Sequence, residues 1–304
     1  MQEYRQREQM EPIENAYYEA KFENAYLKAK GNAFQTFFNE LMGRAHKSDY
    51  MPCRPWGIRG DGKNDGYLKS KRQLFQVYAP NEMTEREAVD KINEDFEGAK
   101  HNWGKYFNKW TFVHNAHDGI PPHVQKTMLE LQASNPGIEL DLWGLEEMRE
   151  IFRRLGREDL ESWFGFAPKR GGMGFEDIRV VLETIGSKKL DSTMPVKQIP
   201  PGKIEANQLS DAISKLLKEG MAKAFLVDDF FGKWHDPIFG ERIAAAFRDK
   251  YETLRETLTP NEVFYELQTW VGSSQRGTAE HEMAVLTVIA YYFESCDIFK
   301  EPQN

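Results

Sequence analysis

Asp65 and Gln76 are the residues of this chain best placed to do chemistry. Asp65 closes a glycine-punctuated loop, Gly60-Asp61-Gly62-Lys63-Asn64-Asp65-Gly66-Tyr67, whose composition predicts a turn delivering the aspartate to the start of a strand. Lys69 to Arg72 supply a polar turn, and Leu74-Phe75-Gln76-Val77-Tyr78-Ala79-Pro80 returns as a second strand. Strand alternation puts Leu74, Gln76 and Tyr78 on one face and Phe75 and Val77 on the other. A hairpin of this kind lets Asp65 and Gln76 meet on one side. A carboxylate and an amide oxygen, supplemented by a backbone carbonyl such as that of Val77, are hard oxygen ligands. They suit Mg2+ or Mn2+ and do not suit zinc or copper. An ion held there would activate water, polarise a scissile phosphate and stabilise the leaving oxygen.

The charge pattern agrees with a phosphate-facing hairpin. The formal net charge of −8 over 304 residues argues against non-specific adhesion of the whole molecule to nucleic acid. Residues 54 to 72, however, hold Arg54, Arg59, Lys63, Lys69, Lys71 and Arg72 against Asp61 and Asp65 alone. Lys63, Lys69, Lys71 and Arg72 are therefore candidate DNA contacts that would steer a duplex. No helix carries a set of base-reading side chains, so little sequence preference is expected. Two cysteines, Cys53 and Cys296, make neither a disulfide framework nor a zinc finger. With no signal-peptide pattern and no apolar run of about 20 residues, a soluble, cytoplasmic protein without membrane contact is expected.

The elements that must position the pair follow from periodicity. Residues 1–30 read as a helical preface whose Tyr17, Tyr18, Phe22 and Tyr26 offer apolar surface for self-association. Phe34, Phe37, Phe38, Leu41 and Met42 form the apolar stripe of a following helix. Ala88, Ile92, Phe96 and Ala99 form another, over residues 85–102. Strands are predicted at Trp110 to His114 and Ile138 to Trp143, with a helix from Pro121 to Ala133 between them. Strand, helix, strand implies a parallel crossover, so the fold class is α/β (α+β) with a mixed sheet. His114, His117, Asp118 and His123 have no helical ligand spacing and read as loop histidines near a phosphate-binding face. Lys169 to Gly174 lacks the closing residues of a P-loop. Residues 187–204, with Pro195, Pro200 and Pro201, read as a linker. Residues 205–304 are purely helical in period, with stripes such as Ile213, Leu216 and Leu217, or Val285, Val288 and Ile289.

Asp65-Gly66-Tyr67, Phe75-Gln76-Val77-Tyr78-Ala79-Pro80 and the upstream helix Gly31 to Met42 together resemble a branch of the restriction-endonuclease-like PD-(D/E)xK superfamily. The resemblance implies a nuclease domain over residues 31–186, with Asp65 and Gln76 at the metal. It also implies an acid or amide from the first helix, Glu40 or else Gln35. The lysine expected two residues after Gln76 is replaced by Tyr78. Some superfamily members carry that lysine on a neighbouring helix, which makes Lys91 the stand-in. The ending Ala290 to Phe299, with Cys296-Asp297-Ile298-Phe299, resembles the C-terminal domain of effectors of three-component ABC-ATPase defence systems, Lamassu among them. That implies an SMC-like ABC ATPase and a small middle subunit as partners, docked on residues 205–304. The joint expectation is a Mg2+-dependent endonuclease, a homo-oligomer when active, that acts on duplex DNA in antiviral defence. The alternative is a nuclease fold without turnover that binds DNA or partner subunits.

Overall fold

The computed structural model describes residues 10–53, 62–116, 119–168, 175–186, 203–234, 238–272, 278–295 and 298–299. Its chain contacts gather into two compact units, one of residues 25–159 and one of residues 8–24 with 160–304. The expected contacts at Arg54 and Arg59, the pair His117 and Asp118, the glycine loop 169–174, Cys296 and most of the linker lie outside the described residues.

The first unit follows the last turn of helix α1 (Pro12–Lys28) with α2 (Gly31–His46), then β1 (Tyr50–Pro52), β2 (Gly66–Leu68) and β3 (Gln73–Tyr78). Helix α3 (Glu85–Trp103), β4 (Lys109–His114), α4 (Pro122–Ser134), β5 (Glu139–Trp143) and α5 (Leu145–Phe152) complete it. The strands form one mixed sheet in sequence order. β1, β2 and β3 pair antiparallel, whereas β3–β4 and β4–β5 are parallel. The two parallel steps are bridged by α3 and α4, because a parallel return needs a crossover and not a tight turn.

Alternation along β3 sorts the sheet's two faces. Leu74 packs with Ala88, Ile92, Phe96 and Ala99 of α3 and with Trp110, Phe112, Val124 and Met128, while Tyr78 lines the same core. Phe75 faces the other way, 5.3 Å from the Phe38 ring of α2 and 5.1 Å from Trp143. The stripe Phe34, Phe37, Phe38, Leu41 and Met42 is buried on that side, as its spacing predicts. Thr84 starts α3 by accepting the Glu87 N–H, which satisfies an amide that the helix itself cannot.

The second unit is helical, running from α6 (Arg157–Phe164) and α7 (Phe175–Gly186) through α8 (Lys203–Ala206), α9 (Asp211–Met221) and α10 (Phe225–Lys233). Helices α11 (Phe239–Arg255), α12 (Pro260–Gly272) and α13 (Ala279–Ser295) close it. Helix α8 begins at Lys203, inside the segment expected as linker. Ile213, Leu216 and Leu217 are buried on α9, and Val285, Val288 and Ile289 on α13. Gly220 lets the two helices touch closely: a Cβ there would lie 2.6 Å from the Leu286 carbonyl and 2.8 Å from Ala290 Cβ. Among the described residues no helix is long and apolar enough to cross a membrane.

The preface is not a free apolar surface. Tyr17, Tyr18, Phe22 and Tyr26 are all buried. The Tyr18 hydroxyl donates to the Gly165 carbonyl at 3.0 Å, and Tyr26 to the His114 carbonyl at 3.0 Å. Helix α1 therefore presents none of these rings for self-association.

Candidate functional site

The hairpin that carries Asp65 is short, and the carboxylate extends it. β2 has three residues, with Gly66 paired to Phe75. One step earlier the Asp65 N–H still reaches the Phe75 carbonyl at 2.9 Å. The next ladder donor, the Val77 N–H, has no backbone acceptor there and instead meets Asp65 Oδ2 at 2.7 Å. Asp65 Oδ1 accepts from Gln35 Nε2 of α2 at 2.5 Å. Asn64 turns the chain into the strand by accepting the Gly66 N–H at 3.0 Å. Gly66 is required by what lies above it, since a Cβ would sit 2.0 Å from the Tyr50 hydroxyl oxygen. Tyr50 donates that hydroxyl to Asn39 Oδ1 at 2.5 Å. Burial first, and the Asp65 charge second, push the Tyr50 pKa up. Tyr50 is therefore a neutral wall beside the aspartate.

Gln76 lies one strand over, on the side of β3 that carries Leu74 and Tyr78. It is 4% exposed, and its Oε1 is buried without a hydrogen-bond partner. A buried amide oxygen left unpartnered costs about 1–3 kcal/mol, so a donor or cation that reached it would be stabilised. In an extended strand the N–H and C=O of one residue point the same way. The Val77 carbonyl therefore faces the β2 edge along with the N–H that Asp65 accepts. The Asp65 carboxylate thus meets Gln35 of α2 and the Val77 amide, while Gln76 belongs to the Leu74 and Tyr78 side of β3. A carboxylate and neutral oxygens are the donor type that a hard divalent cation such as Mg2+ takes. Among the described residues no group of three or more His, Cys, Asp or Glu could hold a metal.

Two of the expected residues are engaged elsewhere. Glu40 is exposed and forms an ion pair with Arg44 one turn on, at 3.2 Å; it is Gln35, five residues earlier, that meets Asp65. Lys91 does not stand free at the site of the missing lysine, because its Nζ lies 2.9 Å from Asp95 Oδ1. Lys63, expected on DNA, reaches the same Asp95 oxygen at 2.9 Å and Glu94 at 2.5 Å. Burial opposes its charge, but the bonds to Glu94 and Asp95 outweigh that and raise its pKa. Asp95 has no exposed surface, and its Oδ2 is unpartnered. The sequence signal for Asp95 was a charge within the stripe Ala88, Ile92, Phe96 and Ala99. Tyr78, where the lysine would stand, has its pKa raised by burial, then by Glu87 and Asp95. It is a neutral hydroxyl and supplies no positive charge.

The turn after β2 lies on the surface. Lys69 and Lys71 are exposed. Arg72 is anchored, donating to the carbonyls of Tyr106 at 3.2 Å and Lys105 at 2.8 Å. Of the histidines, His123 pairs with Glu85 on the surface. His114 is not a loop residue: it ends β4 and is buried, with its pKa pushed down to about 4 by that burial.

Residues 176–300 match a family model described as C-terminal domain 10 of the ABC-three component (ABC-3C) systems. That match covers the helical second unit from α7 onward and less than half of the chain. No curated protein and no solved structure matches the chain.

Proposed function

We propose that this chain, whose C-terminal helices match a domain of ABC-three component systems, is the effector subunit of such a defence system. In this reading its first unit is a divalent-cation-dependent DNA endonuclease with a restriction-endonuclease-like core. The carrying observation is the pair at the hairpin: a buried Asp65 carboxylate tied to the Val77 amide, beside a buried Gln76 whose oxygen has no partner. The order helix, three antiparallel strands, helix, parallel strand around that pair supports the same reading. Mg2+ or Mn2+ bound there would supply the Lewis acid for phosphodiester hydrolysis. The chain's own part is to fix the oxygen donors, with Gln35 and Val77 orienting the Asp65 carboxylate and Lys69 and Lys71 drawing the phosphate backbone. The ABC ATPase and a small subunit are the proposed partners of the helical unit. A break in both strands needs two such sites, hence two chains, on the DNA.

The test is plasmid cleavage by the full chain in Mg2+ or Mn2+, against Asp65→Asn and Gln76→Leu. Asn keeps an acceptor for Val77, so the fold should persist while cleavage drops by more than about a hundredfold. Unchanged cleavage by either variant rejects the site. A second reading, a non-catalytic module that holds DNA or partner subunits, is favoured by two observations. Tyr78 brings no charge, and both Lys63 and Lys91 are bound to Asp95. Duplex retention without any cleavage in either metal would select it.

A further inference from the structure

The parallel strands β4 and β5 end side by side, and parallel sheets bind ligands beyond the carboxyl ends of their strands. A cavity of about 350 Å³ lies there, lined by His114, Ile120, Gln125, Leu142, Leu145 and Glu147 among others. Small-molecule sites run from about 300 to 1,000 Å³, so this one suits a compact ligand. His114 is 5% exposed, and its Nδ1 accepts the Ala116 N–H at 3.2 Å. That bond leaves the ring proton on Nε2. Burial keeps the ring neutral at pH 7, with the Glu147 charge acting weakly the other way. Nε2 has no hydrogen-bond partner among the described residues. It faces Gly144, where a Cβ would stand 3.2 Å from Nε2 and 2.9 Å from Cε1; glycine leaves that ring edge open. Glu147 stands at the same glycine: one of its oxygens accepts the Gly144 N–H at 2.8 Å, which leaves the other able to accept from a ligand.

The polar groups select the ligand. A helix N-terminus attracts anions, but Glu146 and Glu147 in the first turn of α5 oppose a phosphate or carboxylate there. A neutral N–H donor beside a carboxylate acceptor instead matches a carbonyl flanked by N–H groups. Ile120, Leu142 and Leu145 provide apolar walls for a flat ring. We propose that this cavity binds the lactam edge of a guanine-type nucleobase, with His114 Nε2–H donating to the carbonyl and Glu147 accepting from the ring N–H. Gln125, exposed at the rim, adds an amide that can pair with the same edge.

Isothermal titration of the full chain with guanosine and with adenosine tests this without any dependence on DNA cleavage. Guanosine should bind, and adenosine, which presents no carbonyl, at least tenfold more weakly. Glu147→Gln keeps an acceptor for Gly144 and should melt like the parent while weakening guanosine at least tenfold. Gln125→Ala, at a surface position, should weaken it less. Absence of guanosine binding at millimolar concentration, equal affinity for adenosine, or undiminished guanosine binding by Glu147→Gln would each overturn the assignment.

Discussion

Acidification below pH 6.5 should destabilise the first unit through His114. The imidazole is buried at the end of β4, and burial lowers its pKa from 6.5 to about 4. As pH falls, the unfolded chain binds this proton first, so the stabilisation present above pH 6.5 is lost progressively towards pH 4. A shift of about 2.5 units corresponds to about 3.4 kcal/mol in full, at about 1.36 kcal/mol per unit. Between pH 7 and pH 4.5 the same two values give a loss of about 2.4 kcal/mol. Carboxylates titrate mostly below this window. His46, also held below its usual range chiefly by burial, contributes in the same direction, so the wild type must be compared with His114→Gln. Glutamine preserves an acceptor for the Ala116 N–H and does not titrate. The two compact units make a single melting curve ambiguous. Hydrogen exchange of the β4 amides Trp110 to Val113 reads the first unit directly. Their protection should fall with pH in the wild type by about 2.4 kcal/mol more than in the variant. Equal pH slopes in the two proteins, or a His114 ring titrating near 6.5 by NMR, would refute the reasoning.

Two further outcomes concern the hairpin and its neighbour. Gly66→Ala places a methyl group against the buried Tyr50 hydroxyl and ring, at 2.0 to 2.8 Å, and should lower stability by about 1–3 kcal/mol; unchanged hydrogen-exchange protection of the β3 and β4 amides would mean that Tyr50 does not roof the strand. Asp95→Ala removes the carboxylate that Lys63 and Lys91 share, leaving Lys63 with Glu94, and should cost about 1–3 kcal/mol. Lys91→Ala, with Lys63 still on Asp95, should cost about 1 kcal/mol or less in thermal or chemical unfolding. Equal losses for the two variants would contradict the shared-oxygen arrangement.

Four of the five strands and the helices packed on them were legible because their signals are local, whereas the short β1 (Tyr50–Pro52) carries no alternation long enough to read. The alternation at Leu74 to Tyr78, the stripe at Phe34 to Met42 and the polar turn at Lys69 to Arg72 each act within a few residues. The choice between Gln35 and Glu40 was not legible. Gln35 flanks the apolar stripe and Glu40 lies further round towards solvent, yet only the placement of α2 against the hairpin decides which one reaches Asp65. Asp95 was hidden for a related reason: its partner Lys63 precedes the whole β2–β3 hairpin, beyond the reach of any local spacing. The tyrosines of α1 carried a misleading signal. Rings on several sides of one helix suggest exposed apolar surface, but Tyr18 and Tyr26 are buried against Gly165 and His114, over a hundred and over eighty residues away. His114 drew two readings, the end of the Trp110 to His114 strand and one of a loop cluster of histidines, and the strand reading is the one that holds.

The bond between Asp65 Oδ2 and the Val77 amide has a thermodynamic consequence for anything that binds at the hairpin. The oxygen that would hold a cation is also the one that finishes the β2–β3 ladder, so occupancy and ladder closure draw on the same lone pairs. A ligand that shares the oxygen leaves the sheet edge sealed, whereas one that captures it outright frees the Val77 N–H and loosens the strand end. By reciprocity, whatever splays that edge, including a duplex pressed on the Lys69 to Arg72 turn, alters the affinity of the aspartate for its ion by the same factor. In the proposed function the hairpin would thus couple ion and nucleic acid through a single carboxylate.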